Sequence, residues 1–300
     1  MTKILISIVG PTAIGKTALS IKLAQYFNTE IISSDSRQFY KEMYIGTAVP
    51  SPEELKATKH HFIQHKSVEE DYTVGDFERD AIEAIEGIHK NNPSAIMVGG
   101  SGLYVKAVTK GLDNFPEVDK TIRHQLNKEL KSLGIQSLQD KLMVLDPIAF
   151  ETIAIDNPQR VVRALEICIG TNKPYSSFLT NPEKKRPFKT ILVGLDADRS
   201  IIYDRINQRV DIMIEDGLIK EAENLFPLRH LNALNTVGYK ELFQYLKGHY
   251  TLDFAISEIK KNTRRFAKRQ LTWFRKDVGI KWFDYKTNTK DIINYIENQL

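Results

Sequence analysis

Ile4-Leu5-Ile6-Ser7-Ile8-Val9-Gly10-Pro11-Thr12-Ala13-Ile14-Gly15-Lys16-Thr17 is the stretch whose reading decides the fold. A short, mostly apolar strand pattern runs straight into a complete G-x-x-x-x-G-K-S/T loop, and Leu19, Leu23 and Phe27 follow at helical spacing. Strand, glycine loop and helix in this order make a P-loop. Gly10 and Gly15 let the backbone curl so that successive amide hydrogens converge on one anion, and the helix opening near Lys16 adds the positive end of its dipole. Lys16 brings a mobile cation, while the Thr17 hydroxyl is placed to hold a magnesium ion bridging phosphate oxygens. Gly10, Pro11, Thr12, Ala13, Ile14, Gly15, Lys16 and Thr17 are therefore expected to bind a diphosphate or triphosphate, with Thr17 as the metal ligand. The motif does not separate a nucleotide from other diphosphate esters.

Outward from this loop, 300 residues with 42% apolar and 27% charged composition describe a globular protein with material for a sizeable core. The N-terminal apolar run is short and ends at a glycine loop, so it reads as a core strand rather than a signal peptide. No stretch approaches the roughly 20 apolar residues of a membrane span. Cys168 is the single cysteine, which excludes an internal disulfide and fits a reducing cytoplasm; its apolar helical setting makes it a core residue. A formal charge of +4 is too small to point to nucleic acid, so the distribution of charge must decide.

A second apolar run, Glu30-Ile31-Ile32-Ser33-Ser34, ends at Asp35-Ser36-Arg37-Gln38. In open parallel sheets ligands bind beyond the carboxyl ends of strands, so Asp35 is expected to face the P-loop. There its carboxylate could hold magnesium through water, orient a hydroxyl or accept a proton; a helix N-cap is the alternative. Residues 45–50 look like a segment closing over a ligand. His60 and His61 are adjacent without Cys or carboxylate at ligand spacing, which favours a polar or packed pair over a metal site. Phe77, Ala81, Ile85 and Ile88 give one helical face, and Asn91-Asn92-Pro93 stops it. A buried strand, residues 94–98, then delivers Gly99-Gly100-Ser101-Gly102, whose glycines permit either close approach to a ligand or a tight turn.

Past Gly111 the strand pattern stops until Thr190, and helical segments take over at 119–133, 137–145, 147–155 and 158–169. The chain thus reads as a P-loop core in two parts, 1–114 and 188–300, around a helical insertion, 115–187. The fold class is α/β, a P-loop NTPase-like parallel sheet flanked by helices with an all-helical insertion. Within the insertion Asn157 caps and Pro158 opens a helix that presents Arg160 and Arg163 on one face, while Val161, Val162 and Leu165 can turn inward; Arg123 lies on another helix. These arginines either bind phosphate or are simply solvated. Beyond the resumed strand, Arg205 and Arg209 lie one helical turn apart and are candidates for a transferred or departing phosphate, although Arg205 could instead pair with nearby acids. From Lys260 to Lys276 the chain carries eight lysines and arginines and no acid. Ile256, Ile259, Phe266 and Trp273 give this helix an apolar side, and its cationic remainder favours a polyanion.

Together these stretches resemble the tRNA dimethylallyltransferase, or tRNA isopentenyltransferase, family. The likeness runs through Gly-Pro-Thr-Ala-Ile-Gly-Lys-Thr at 10–17, Asp-Ser-Arg-Gln at 35–38, Ile-Gly-Thr-Ala at 45–48 and His-His at 60–61. It continues in Val-Gly-Gly-Ser-Gly-Leu-Tyr at 98–104, Asn-Pro-Gln-Arg-Val-Val-Arg-Ala-Leu-Glu at 157–166, Val-Gly-Tyr at 237–239 and Thr-Arg-Arg-Phe-Ala-Lys-Arg-Gln-Leu-Thr-Trp-Phe-Arg at 263–275. Val49 stands where the family usually has Lys, and Ser101 where Thr is common; the second keeps its hydroxyl. The resemblance implies a cytoplasmic, monomeric enzyme that moves a dimethylallyl group from dimethylallyl diphosphate to the exocyclic amine of the adenine beside the anticodon, with Mg2+ as cofactor. It implies Asp35 as general base, Lys16, Thr17 and Arg209 as the other catalytic groups, and contacts to the tRNA anticodon stem-loop at Asp35, Ser36, Arg37, Gln38, Ser101, Arg123, Gln159, Arg160, Val161, Val162 and Arg163. The target base would have to leave its stack. A small-molecule or nucleotide kinase, or an RNA-binding module with a relic P-loop, are the competing classes.

Overall fold

In β1, Ile4–Val9, every residue is buried: Ile4, Ile6 and Ile8 join one core layer and Leu5 and Val9 the other. That two-sided burial is what a central strand of a parallel sheet requires. The computed structural model describes residues 2–180 and 184–300; residues 181–183, inside the expected insertion, lie outside the described residues. After β1 come α1 (Lys16–Tyr26), β2 (Ile31–Ser33), α2 (Pro52–Ala57), β3 (His60–His61), α3 (Val74–Ile88), β4 (Ser94–Val98) and α4 (Gly102–Thr109). The insertion supplies α5 (Lys120–Leu133), α6 (Ile135–Leu145), α7 (Pro147–Thr152) and α8 (Pro158–Thr171). The core resumes with β5 (Lys189–Asp196), α9 (Arg199–Glu215), α10 (Leu218–Leu225), α11 (Tyr239–Leu246), α12 (Leu252–Phe274), β6 (Lys281–Asp284) and α13 (Thr289–Glu297).

The six strands run parallel in the order β3-β2-β4-β1-β5-β6, so β1 sits between β4 and β5, with Ile4 opposite both Ser94 and Lys189. Because all strands point the same way, the loops after β1, β2, β4 and β5 leave from one edge of the sheet, where ligand crevices of α/β folds form. The helices obey the local signals. Thr73 and Asp76 make a capping box at the start of α3, whose buried face is Phe77, Ala81, Ile85 and Ile88.

Two compact units divide the chain, Met1–Thr109 with Lys185–Leu300, and Lys110–Lys184. The second unit closes on itself where the chain enters and leaves: the Lys184 amide donates to the Lys110 carbonyl at 2.9 Å, and Gly111, at φ +90°, lies so close to Lys184 that a Cβ would stand 2.6 Å from its side chain. Its core packs Leu126, Leu138, Leu142, Ala149, Val161, Val162 and Leu165. Cys168 is buried there, and burial raises its thiol pKa. Asn157 accepts from the amides of Gln159 and Arg160, with Pro158 opening α8.

The long basic helix α12 departs from its expected apolar side. Ala255, Ile259, Ala267, Gln270 and Phe274 are buried, whereas Phe266 and Trp273 are 38% and 40% exposed. Acids distant in sequence also meet its cations: Lys260 pairs with Asp211 and Arg275 with Asp196, each at 2.6 Å, while Arg264 donates to Asn207 at 2.7 Å. Lys261 pairs with Glu258 in the preceding turn. Among the described residues no helix is long and apolar enough to cross a membrane.

Candidate active site

The loop after β1 is shaped by two glycines. A Cβ on Gly10 would stand 2.5 Å from the Leu195 carbonyl of the neighbouring strand, and Gly15, at φ +109°, is the left-handed residue from which α1 starts. No acidic residue occupies the first turn of α1, so nothing on the helix itself offsets the positive end of its dipole. Lys16 Nζ donates to the carbonyls of Pro11 and Gly10 at 2.7 and 3.1 Å. Burial pulls its pKa down to about 8, opposed by the Asp35 carboxylate and assisted by the positive Arg209. Arg205 and Arg209 of α9 reach the same loop. Arg205 donates to the Ala13 carbonyl at 2.7 Å and lies over the Tyr285 ring, so its local partner is a carbonyl and not an acid. Arg209 lies 3.5 Å from the Thr12 hydroxyl; burial, then the nearby Arg205, lower its pKa against the pull of Asp35 and Glu54.

Asp35 follows β2 in a turn, where one carboxylate oxygen accepts the Arg37 amide at 3.0 Å. This is a local Asx turn and not the cap of a helix. The next three residues hold the turn in place. Ser36 bonds through amide and hydroxyl to the Ser101 hydroxyl, both at 3.2 Å. Arg37 donates to the carbonyls of Asn232 and Ala233, and Gln38 to those of Thr47 and Ala48 while accepting from Ser33. Arg37 and Gln38 are thus already engaged within the chain. The glycines after β4 are explained by packing: a Cβ on Gly99 would stand 2.2 Å from the Ser34 hydroxyl, and one on Gly102 2.2 Å from the Trp273 indole.

Two cavities open along this edge. One, about 740 Å³, is bordered by residues 12–18 of the P-loop; the other, about 540 Å³, by Ser101, Tyr104, Val237 and Trp273. Thr12, Asp35, Arg209 and Gln270 line both. Each volume lies in the roughly 300–1,000 Å³ range of small-molecule sites. Their shared wall therefore places a carboxylate, a guanidinium and the edge of an anion loop where two ligands could meet.

In the insertion, Arg123 and Arg163 converge on Glu166, which is 5% exposed: Arg123 reaches both its oxygens at 2.9 and 2.7 Å, and Arg163 one at 2.7 Å. Burial would raise the Glu166 pKa, but hydrogen bonds and charge from the two arginines hold it below the usual carboxylate value. Arg163 also covers Phe115, which stacks on Tyr175. Gln159 and Arg160 are exposed. Val161 and Val162 are fully buried in the insertion's core, so their side chains hold α8 in place and are not surface contacts; the apolar half of the helix turns them inward.

A family model described as IPP transferase matches residues 38–277. The tRNA dimethylallyltransferase of Christiangramia forsetii is 61% identical, covering all of this chain and 99% of that protein; that of Flavobacterium johnsoniae is 59% identical, covering 99% and 98%. The chain belongs to the IPP transferase family. Among solved structures of similar proteins, the full-length tRNA isopentenylpyrophosphate transferase of Bacillus halodurans is 41% identical with TM-score 0.74, covering 99% of this chain and 96% of that one. A eukaryotic dimethylallyltransferase acting on tRNA is 28% identical with TM-score 0.82, covering 99% and 80%.

For this family member, reading the sequence missed several residues that build the site. Glu221 accepts three successive amides, Tyr44, Ile45 and Gly46 at 3.0, 2.7 and 2.9 Å, and the Tyr239 hydroxyl at 2.6 Å. Gly46 fits because a Cβ there would stand 2.6 Å from the Tyr239 ring. Glu221 thereby fixes the 44–48 segment whose carbonyls hold Gln38. Gln270 and Trp273 fall in the basic motif already noted, but nothing in that pattern separates cleft-lining from packing. His60 and His61 bond to the Thr58 carbonyl and to Glu30, and among the described residues no group of three or more His, Cys, Asp or Glu side chains could hold a metal.

Proposed function

We propose that this protein transfers a dimethylallyl group from dimethylallyl diphosphate to the exocyclic amine of the adenine adjacent to the anticodon in tRNA. The observation that carries the reading is the shared wall of the two cavities, where Asp35 and Arg209 lie beside the anion loop. The larger cavity takes the diphosphate on the amides of the P-loop, with Lys16 and Arg209 stabilising the charge that grows as it departs. The smaller one admits the adenine, extruded from its stack. The bond from the prenyl carbon to the diphosphate oxygen breaks as the bond to the adenine nitrogen forms, and the amine proton passes to the Asp35 carboxylate. An aromatic amine is a weak nucleophile, so a positioned base and exclusion of water both raise the rate.

The Thr17 hydroxyl, which borders the larger cavity beside the same loop, is an oxygen donor of the kind that would hold a hard cation such as Mg2+. When bound, the ion neutralises phosphate charge and so eases diphosphate departure. Gln159 and Arg160, with Arg123 and Arg163 held by Glu166, bind the anticodon stem-loop through phosphate and sugar. Ser36 and Ser101 line the smaller cavity and contact the RNA near the base. The same reading has the enzyme work as a monomer in the cytoplasm, where a lone cysteine such as Cys168 stays reduced. A kinase reading finds no support among the similar proteins, whose names are those of prenyl-transferring enzymes.

Incubating the protein with Mg2+, dimethylallyl diphosphate and unmodified tRNA, then analysing nucleosides by mass, should show a five-carbon gain on adenine. Adenine left unmodified by protein that instead moves a phosphoryl group from ATP to an acceptor would refute the assignment.

A further inference from the structure

Gln270 is 6% exposed and its side-chain amide bridges two loops. Its oxygen accepts the Thr12 amide at 2.8 Å, and its nitrogen donates to the Gly100 carbonyl at 3.0 Å. The orientation is forced, because Thr12 offers only a donor and Gly100 only an acceptor. Gly100 has no room beside it: a Cβ there would stand 2.1 Å from the Gln270 nitrogen. Buried neighbours Ala267 and Phe274 on α12 fix the helix that carries it.

We propose that Gln270 sets the length of the anion cradle, closing the P-loop at Thr12 so that it takes a diphosphate and turns away a triphosphate. This rests on the reading of the loop as a diphosphate site. In a P-loop the phosphates run from the helix end, at Lys16 and Thr17, along the amides toward the loop's beginning, and the lysine spans the outer groups. Lys16 already lies at the carbonyls of Gly10 and Pro11, so a third phosphoryl group continues toward Thr12. There the amide is taken by Gln270. Handing the Thr12 amide to a phosphate would leave the Gly100 carbonyl and the buried Gln270 amide without their partners. Asp35 borders the same two cavities as Thr12, so the added anion would also enter the space of a carboxylate.

The test is calorimetric titration of the full chain, in Mg2+, with inorganic diphosphate and with inorganic tripolyphosphate, for the wild type and Gln270→Ala. The wild type should bind diphosphate at least about tenfold more tightly. Gln270→Ala should bring the two anions within about threefold, by a gain for tripolyphosphate. Equal affinities in the wild type overturn the proposal without any variant, and an unchanged preference in folded Gln270→Ala overturns it too. Binding of neither anion to the wild type removes the diphosphate reading itself, and this proposal with it.

Discussion

Lys16 offers a quantitative handle on the anion loop. Its pKa falls from 10.5 to about 8, chiefly through burial, so carrying the charge inside the loop costs roughly 3–4 kcal/mol relative to water. A diphosphate beside the ammonium restores the charged form. Binding must then take up a proton wherever the free protein has lost it, that is, above about pH 8 and below the restored pKa. At pH 8 about half a proton should enter per dimethylallyl diphosphate bound, and affinity should fall about tenfold between pH 7 and pH 9, with little change below pH 7. The sign for stability is opposite: the unfolded chain binds this proton more tightly, so folding stability from this group rises from about pH 8 toward 10. Calorimetry in two buffers of different ionisation heat reads the proton directly, and Lys16→Met should remove both the uptake and the pH slope. A proton-free, pH-independent affinity across this range in the wild type would refute the reasoning.

Glu221→Gln leaves two or more backbone amides of the 44–46 segment without their charged acceptor, so thermal or urea unfolding should show a loss of about 2–4 kcal/mol, while Tyr239→Phe should cost about 1 kcal/mol. Equal losses for the two would mean that the amides are not what Glu221 holds. Arg160→Ala should lower the salt dependence of tRNA binding by roughly 0.7–0.9 in log–log slope, read by filter binding over a salt series; an unchanged slope returns Arg160 to the solvated surface. Glu166→Ala should destabilise by about 1–3 kcal/mol, a figure already reduced because both arginines are partly exposed, and a melting temperature equal to wild type would contradict it.

Elements whose rules are local were legible before any coordinates. The strand and loop at 4–17, the apolar face of 74–88 and the Asn157-Pro158 helix start each depend on neighbours within a few residues, and each stands as its spacing implies. The parts that escaped depend on distant partners. Phe266 and Trp273 share the helical period of a core face, yet they border cavities, because periodicity records which face is apolar and not what lies opposite. Glu221 gains its role from an amide array 175 residues or more earlier, and Gln270 from Thr12, 258 residues away. Likewise the acid-free run from Lys260 looked free of counterions until Asp211 and Asp196 came beside it through the fold.

The decisive measurement is single-turnover prenyl transfer by Asp35→Asn, with tRNA and dimethylallyl diphosphate affinities determined alongside. Asn keeps the shape and an acceptor for the Arg37 amide but takes no proton, so the rate should drop about 10²–10⁴-fold while both affinities stay within a few-fold. Transfer at the wild-type rate would show that the adenine amine loses its proton elsewhere and that the wall shared by the two cavities is not the reaction centre.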